Sequence, residues 1–220
     1  MMDFCNDHPA FDDTFIEKIH AEWGNHTAVL RQPRQAFESA VVLPLVKKAD
    51  AWHLLFELRA FDLDVQPGEV CFPGGRIEPG ENPQEAALRE VAEELLVSCS
   101  QVEILAALDG ISGPGGRTIW PFIGILKDYE NTWSKDEVDH TFTIPLSWFF
   151  DHEPVSYNTT LVTVPADDFP IGLIPGGKDY PWHTRRHPVL FYLETKPLIW
   201  GITAMILKRT VDDLRANLIL

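Results

Sequence analysis

The 220 residues suffice for one ordinary domain with a proper core, and a composition of 45% hydrophobic and 23% charged residues is that of a globular protein. The formal net charge of −15 excludes electrostatic attraction to nucleic acid or anionic membranes, and it repels phosphates unless cations stand between. The longest strongly apolar stretch, 197–207, is too short to cross a bilayer as a helix.

In chain order, Phe15, Ile16, Ile19 and Trp23 predict an amphipathic helix over 12–23, and 25–35 reads as a linker. Residues 1–37 are therefore taken as an N-terminal helix and linker, and 38–220 as the main domain. Within it, 39–48 and 52–60 read as paired strands, 102–111 as a strand, and 112–116 as a glycine-rich turn. Residues 118–126 and 140–150 read as strands, the second running into a helix. Seven of the 17 prolines fall in 151–197, which predicts an irregular region with short strands such as 189–194. Residues 199–218 read as a final helix entered from Gly201. Strands alternating with few helices give a mixed α/β domain. Cys5, Cys71 and Cys99 form no CxxC and read as free thiols of a reducing compartment. The first residues lack a basic start and an apolar run, so a cytoplasmic location is expected rather than secretion.

One helix start is well marked. Asn82 can cap, Pro83 suits the first helical position, and Glu85 completes a capping box. Leu88, Val91, Ala92 and Leu95 predict the buried stripe, with Glu90, Glu93 and Glu94 roughly opposite. A solvated face is the ordinary reading of such carboxylates. Like charges three and four residues apart, however, cost an isolated helix roughly 0.2–0.5 kcal/mol per pair, and a divalent cation would turn that repulsion into coordination.

Gly75, Glu81, Arg89, Glu90, Val91, Glu93, Glu94 and Val97 stand in the register G-x5-E-x7-R-E-U-x-E-E-x-G-U, where U is aliphatic. The stretch resembles the Nudix box. Leu96 takes the place of the second glycine, so the helix is expected to run on or to end differently. The resemblance implies a Nudix α/β/α sandwich with a mixed central sheet and a loop-helix-loop box. It also implies Mg²⁺ or Mn²⁺ held by Glu90, Glu93, Glu94 and the carbonyl of Gly75, with Glu81 and Arg89 bracing these ligands. The expected reaction is hydrolysis of a diphosphate-linked nucleotide, a small-molecule substrate, with Glu90 and Glu94 catalytic through the cation. Glu137, with Asp136 and Asp139 as competitors, is the candidate general base. A homodimer is left open.

Upstream, Leu55, Phe56, Arg59, Gly68, Phe72, Pro73, Gly74 and Gly75 resemble the motif of coenzyme A diphosphatases, and 199–204 resembles a later segment of that subfamily. This implies cleavage of coenzyme A or acyl-CoA to 4′-phosphopantetheine and adenosine 3′,5′-bisphosphate. Glu57, Ala60 and Asp64 depart from the motif, replacing a threonine, a serine and an arginine; a carboxylate at Asp64 would repel a phosphate. An ADP-ribose or nucleotide-sugar diphosphatase and a non-catalytic nucleotide sensor are the alternatives. Arg59, Gly74 and Arg117 are the candidate substrate contacts. Arg185 and Arg186, in a stretch read as a loop with His183 and His187, could meet a further phosphate. Trp120, Trp148 and Trp200 read as core residues.

Overall fold

The computed structural model of the protein describes residues 38–49, 51–113 and 117–218. The helix expected over 12–23, the linker after it, Cys5 and the 114–116 portion of the glycine-rich turn lie outside the described residues.

The apolar run of 39–48 forms β1 (Glu38–Lys48), which sits in the middle of an eight-stranded sheet. One edge of β1 pairs in parallel with β7 (Thr118–Leu126). Its other edge is shared, with Ser39–Val41 pairing β4 (Gly74–Arg76) and Leu45–Lys48 pairing β2 (Ala51–Arg59), both antiparallel. β2 in turn pairs β3 (Val70–Cys71) and β8 (Val138–Pro145), while β7 pairs β5 (Val102–Ala107) and β6 (Ile111–Ser112). The sheet is mixed because β1 and β7 alone run parallel among these pairs. The strand expected over 102–111 is broken after Ala107, so β5 and β6 meet β7 separately.

A helix covers each face. Helix α1 (Pro83–Leu95) packs Ala86, Ala87, Val91 and Leu95 against Val42, Leu55 and Phe122. Helix α3 (Gly201–Leu218) packs Ala204, Leu207 and Val211 on the opposite face, with Leu43, Leu54, Phe56 and Phe149 of the short helix α2 (Trp148–Asp151). The two faces of β2 alternate accordingly: Leu54 and Phe56 point toward α3, Leu55 toward α1. This is the α/β/α sandwich expected. Among the described residues no helix is long and apolar enough to cross a membrane.

The region after residue 150 is more regular than its prolines suggest. β9 (Val155–Leu161) and β10 (Arg185–Tyr192) pair antiparallel along their length, and β11 (Ile199–Trp200) completes a three-stranded sheet. The stretch 185–188 is thus strand, not loop. Every residue of β9 is exposed, so no buried alternation marked it in the sequence.

Candidate active site

Helix α1 begins as its sequence predicts. Asn82 Oδ1 accepts from the amides of Gln84 and Glu85, both at 3.0 Å, and Glu85 returns a bond to the Asn82 amide. The helix stops where the box requires, because Leu96 itself takes the left-handed conformation, φ 54° and ψ 45°, that glycine usually supplies. Expected changes in helix length do not occur.

The acidic face is not uniformly solvated. Glu93 is exposed and Glu90 partly buried, but Glu94 is only 3% exposed. Glu94 lies one helical step from Val91 and so shares the buried stripe, where Leu88 and Ala92 are only half-buried. Its carboxylate accepts the amide of Gly74 at 2.7 Å, which ties the last turn of α1 to β4. Burial pushes Glu94 up to about 8 despite that bond, with the carboxylates of Glu90 and Glu137 adding to the shift. Glu90 is raised as well, first by burial.

Arg89 organises the rest. Its guanidinium grips both oxygens of Glu81 at 2.8 and 3.1 Å, and reaches Glu90 at 2.9 Å, Glu93 at 3.3 Å and the carbonyl of Arg76 at 3.1 Å. Glu81 also accepts the amide of Glu78, and these bonds hold its carboxyl below the ordinary range. Gly75 lies so close to Glu90 that any Cβ there would overlap the carboxylate. Gly74, at φ +150°, is equally confined, because a Cβ would strike the carbonyl of Ala40.

With Arg89 holding Glu90 and Glu93, no three acidic side chains converge on one point among the described residues. The donor set still suits a hard divalent cation. Glu57, on the α1 face of β2, is 0% exposed, and its Oε1 has no hydrogen-bond partner. Burial first, and then the Glu94 carboxylate, drives its proton affinity far above the usual range. A buried carboxyl group raised by burial and by a neighbouring carboxylate is relieved by a bound cation. Sequence reasoning treated Glu57 as a departure from a motif; its signal was an acidic residue inside the apolar run 54–58.

Glu137 precedes β8, is exposed, and adds its charge to the field at Glu57, Glu90 and Glu94. Asp139 is instead taken up by His140 Nδ1 at 2.7 Å. Cys71 sits opposite Glu57 in the β2–β3 pair, and burial pushes its thiol well above the normal range, which disfavours a nucleophilic thiolate.

Arg59, Gly74 and Arg117 line one chamber of about 520 Å³, together with Gly75. Its opposite wall is largely apolar, built from Ile119, Leu161, Val189, Trp200, Ile202 and Met205. The wall comes from the small sheet, from Ile119 of β7 and from α3, which Thr203 anchors by donating to the carbonyl of Val70 at 2.9 Å. Trp200 is therefore a chamber residue, 37% exposed, rather than core. Asp64 is exposed in the turn after β2 and does not line the chamber. His187 lines it from β10, whereas His183 precedes that strand.

The NUDIX domain family model matches residues 37–154. The chain is 33% identical over 132 residues to the peroxisomal coenzyme A diphosphatase NUDT7 of Mus musculus, covering 59% of this chain and 55% of that protein. It is 39% identical over 112 residues to Nudix hydrolase 3 of Caenorhabditis elegans, covering 49% and 47%. An uncharacterized Nudix hydrolase, NudL, of Photorhabdus laumondii is 28% identical over 179 residues, covering 80% and 84%. The chain thus spans about half the length of the first two relatives.

Proposed function

The chain belongs to the Nudix family, and from that premise we propose that it is a divalent-cation-dependent diphosphatase acting on coenzyme A or its acyl derivatives. The observation that carries the substrate is the chamber. Its box end, at Gly74, Gly75 and Arg59, suits a diphosphate, and its far wall suits an apolar arm rather than a sugar. The mouse relative, a coenzyme A diphosphatase by name, supports the same reading. Asp64, the departure that argued against a coenzyme A phosphate, lies off the chamber.

Mg²⁺ or Mn²⁺ would be held by Glu90, Glu93, Glu94 and the Gly75 carbonyl, and would supply charge neutralisation at the diphosphate and a more acidic water. The chain's own residues do the positioning. The Arg89–Glu81 clamp fixes the direction of Glu90, and the Gly74 amide fixes Glu94. Arg59 and Arg117 meet the phosphates from the chamber side. In this reading Glu137 takes the proton of the attacking water, which its charge acting at Glu90 and Glu94 supports. The leaving phosphopantetheine arm lies along Ile119, Ile202 and Met205.

The test is product analysis with Mg²⁺ on coenzyme A, decanoyl-CoA and ADP-ribose, each alone. Release of adenosine 3′,5′-bisphosphate from the first two is expected, and cleavage of ADP-ribose alone would overturn the substrate reading.

A further inference from the structure

Glu57 stands out among the buried groups that the mechanism leaves unused. Among the described residues, its Oε1 is the only carboxylate oxygen that is buried without a hydrogen-bond partner. The other oxygen has only the thiol of Cys71, at 3.9 Å, a weak donor. Leaving a carboxyl oxygen so placed is costly in a folded protein, and a strand that needed only packing would carry an apolar residue there, as Leu55 does two positions earlier.

Its surroundings say what the oxygen faces. Glu57 shares the α1 face of β2 with Leu55, and is flanked across the sheet by Cys71 of β3 and Thr141 of β8. Thr141 is engaged with Tyr129, its hydroxyl 3.2 Å from the Tyr129 hydroxyl, and Cys71 lines the chamber beside Gly74 and Gly75. Glu94 comes down from α1 onto the Gly74 amide, and its charge acts on Glu57, which reaches the same end of the chamber from the sheet beside Cys71. The charges that act on Glu57 are those of Glu94, Arg59 and Glu137, in that order.

We propose that Glu57 is a further carboxylate of the cation site, reaching it from the sheet while Glu90 and Glu94 reach it from the helix. The inference rests on the cation-dependent reading above. It makes the site more anionic than the box alone, and accounts for an acidic residue where the diphosphatase motif has threonine.

The experiment is Mn²⁺ binding by calorimetry to the full chain, wild type against Glu57→Gln, with Thr141→Val as a control on the same row. Thermal melts of the cation-free proteins report folding. The expected result is an Mn²⁺ dissociation constant about 10- to 100-fold weaker in Glu57→Gln, with the control unchanged. A rise in the cation-free melting temperature of Glu57→Gln should accompany it. Equal Mn²⁺ affinity in wild type and a folded Glu57→Gln overturns the proposal and leaves the box carboxylates intact as ligands. No Mn²⁺ binding by wild type overturns the cation site itself. Should Glu57→Gln fail to fold, Glu57→Leu, which suits a dry pocket, is titrated in its place against the same two outcomes.

Discussion

The carboxylate of Glu94 accepts the backbone amide of Gly74 at 2.7 Å, joining the end of α1 to the strand that opens the box. That bond has two separable parts, an acceptor oxygen and a negative charge. Glu94→Gln keeps the acceptor and removes the charge, so the fold should persist while turnover falls by about 10²-fold or more. Glu94→Ala also orphans the amide and should lose about 1–3 kcal/mol of stability. Urea denaturation of both variants beside steady-state rates separates the effects.

The adjacent glycines should respond differently to a methyl group. In Gly74→Ala the new Cβ meets the backbone of Ala40 and Val41 and must hold φ +150°, so nothing nearby can yield cheaply. A loss of about 3 kcal/mol or more is expected, in line with strained backbone plus overpacking. In Gly75→Ala the Cβ meets the far end of the Glu90 side chain rather than backbone, and that end can rotate away at the cost of its bond to Arg89. That variant should melt within about 1 kcal/mol of wild type, a small overpacking cost, yet lose most of its activity because Glu90 is pushed off Arg89. Equal destabilisation in the two would contradict this account.

Stability should depend on pH in a direction set by Glu94. Its folded-state value of about 8 exceeds the ordinary 4.5, so the folded protein holds that proton more tightly than the unfolded chain. The associated stability is complete below pH 4.5 and is lost as pH rises toward 8. Glu81 and Glu153 are held low, by Arg89 and Arg215, so they act oppositely and only in the acid range beneath that window. Cation-free melts should therefore decline between pH 5 and 8 relative to Glu94→Gln, by an amount of order 1 kcal/mol per pH unit at most. Added Mg²⁺ should restore more at pH 8 than at pH 5. A wild-type profile parallel to that of Glu94→Gln would remove Glu94 as the cause.

Leu96 offers a test of backbone strain away from the chemistry. A leucine in the left-handed region costs roughly 1–2 kcal/mol, and glycine gives back about 0.5–1 through the freer unfolded chain. Leu96 is 60% exposed, so little packing is lost on its removal. Leu96→Gly should thus gain about 0.5 kcal/mol in chemical denaturation with turnover unchanged. A clear loss of stability would show that the leucine side chain does more than end the helix.

Much of this was legible from residues. The cap at Asn82, the register from Gly75 to Val97 and the strands β1, β2 and β7 follow from local patterns of charge and apolar spacing. Three features were not. Glu94 faces inward because it lies three residues past Val91, and acidity hid what the helical period already implied. Glu57 read as a mismatch because a motif compares identities, whereas its burial depends on three strands and a helix meeting around it. A strand near 189–194 was legible and overlaps β10, but β9 and its pairing were missed because β9 is exposed throughout and its partner lies beyond a long irregular stretch. The small sheet of β9–β11 supplies Leu161, Val189 and Trp200 to the apolar wall on which the substrate reading depends.

The central claim is that the carboxylates of α1 hold the cation that makes diphosphate cleavage possible. The most direct measurement follows adenosine 3′,5′-bisphosphate released from coenzyme A by wild type and Glu94→Gln, with Mg²⁺ and with excess chelator. Release by wild type with Mg²⁺, abolished by chelator and cut by about 10²-fold or more in Glu94→Gln, is the predicted result. Undiminished release in chelator, or from a folded Glu94→Gln, would contradict the account.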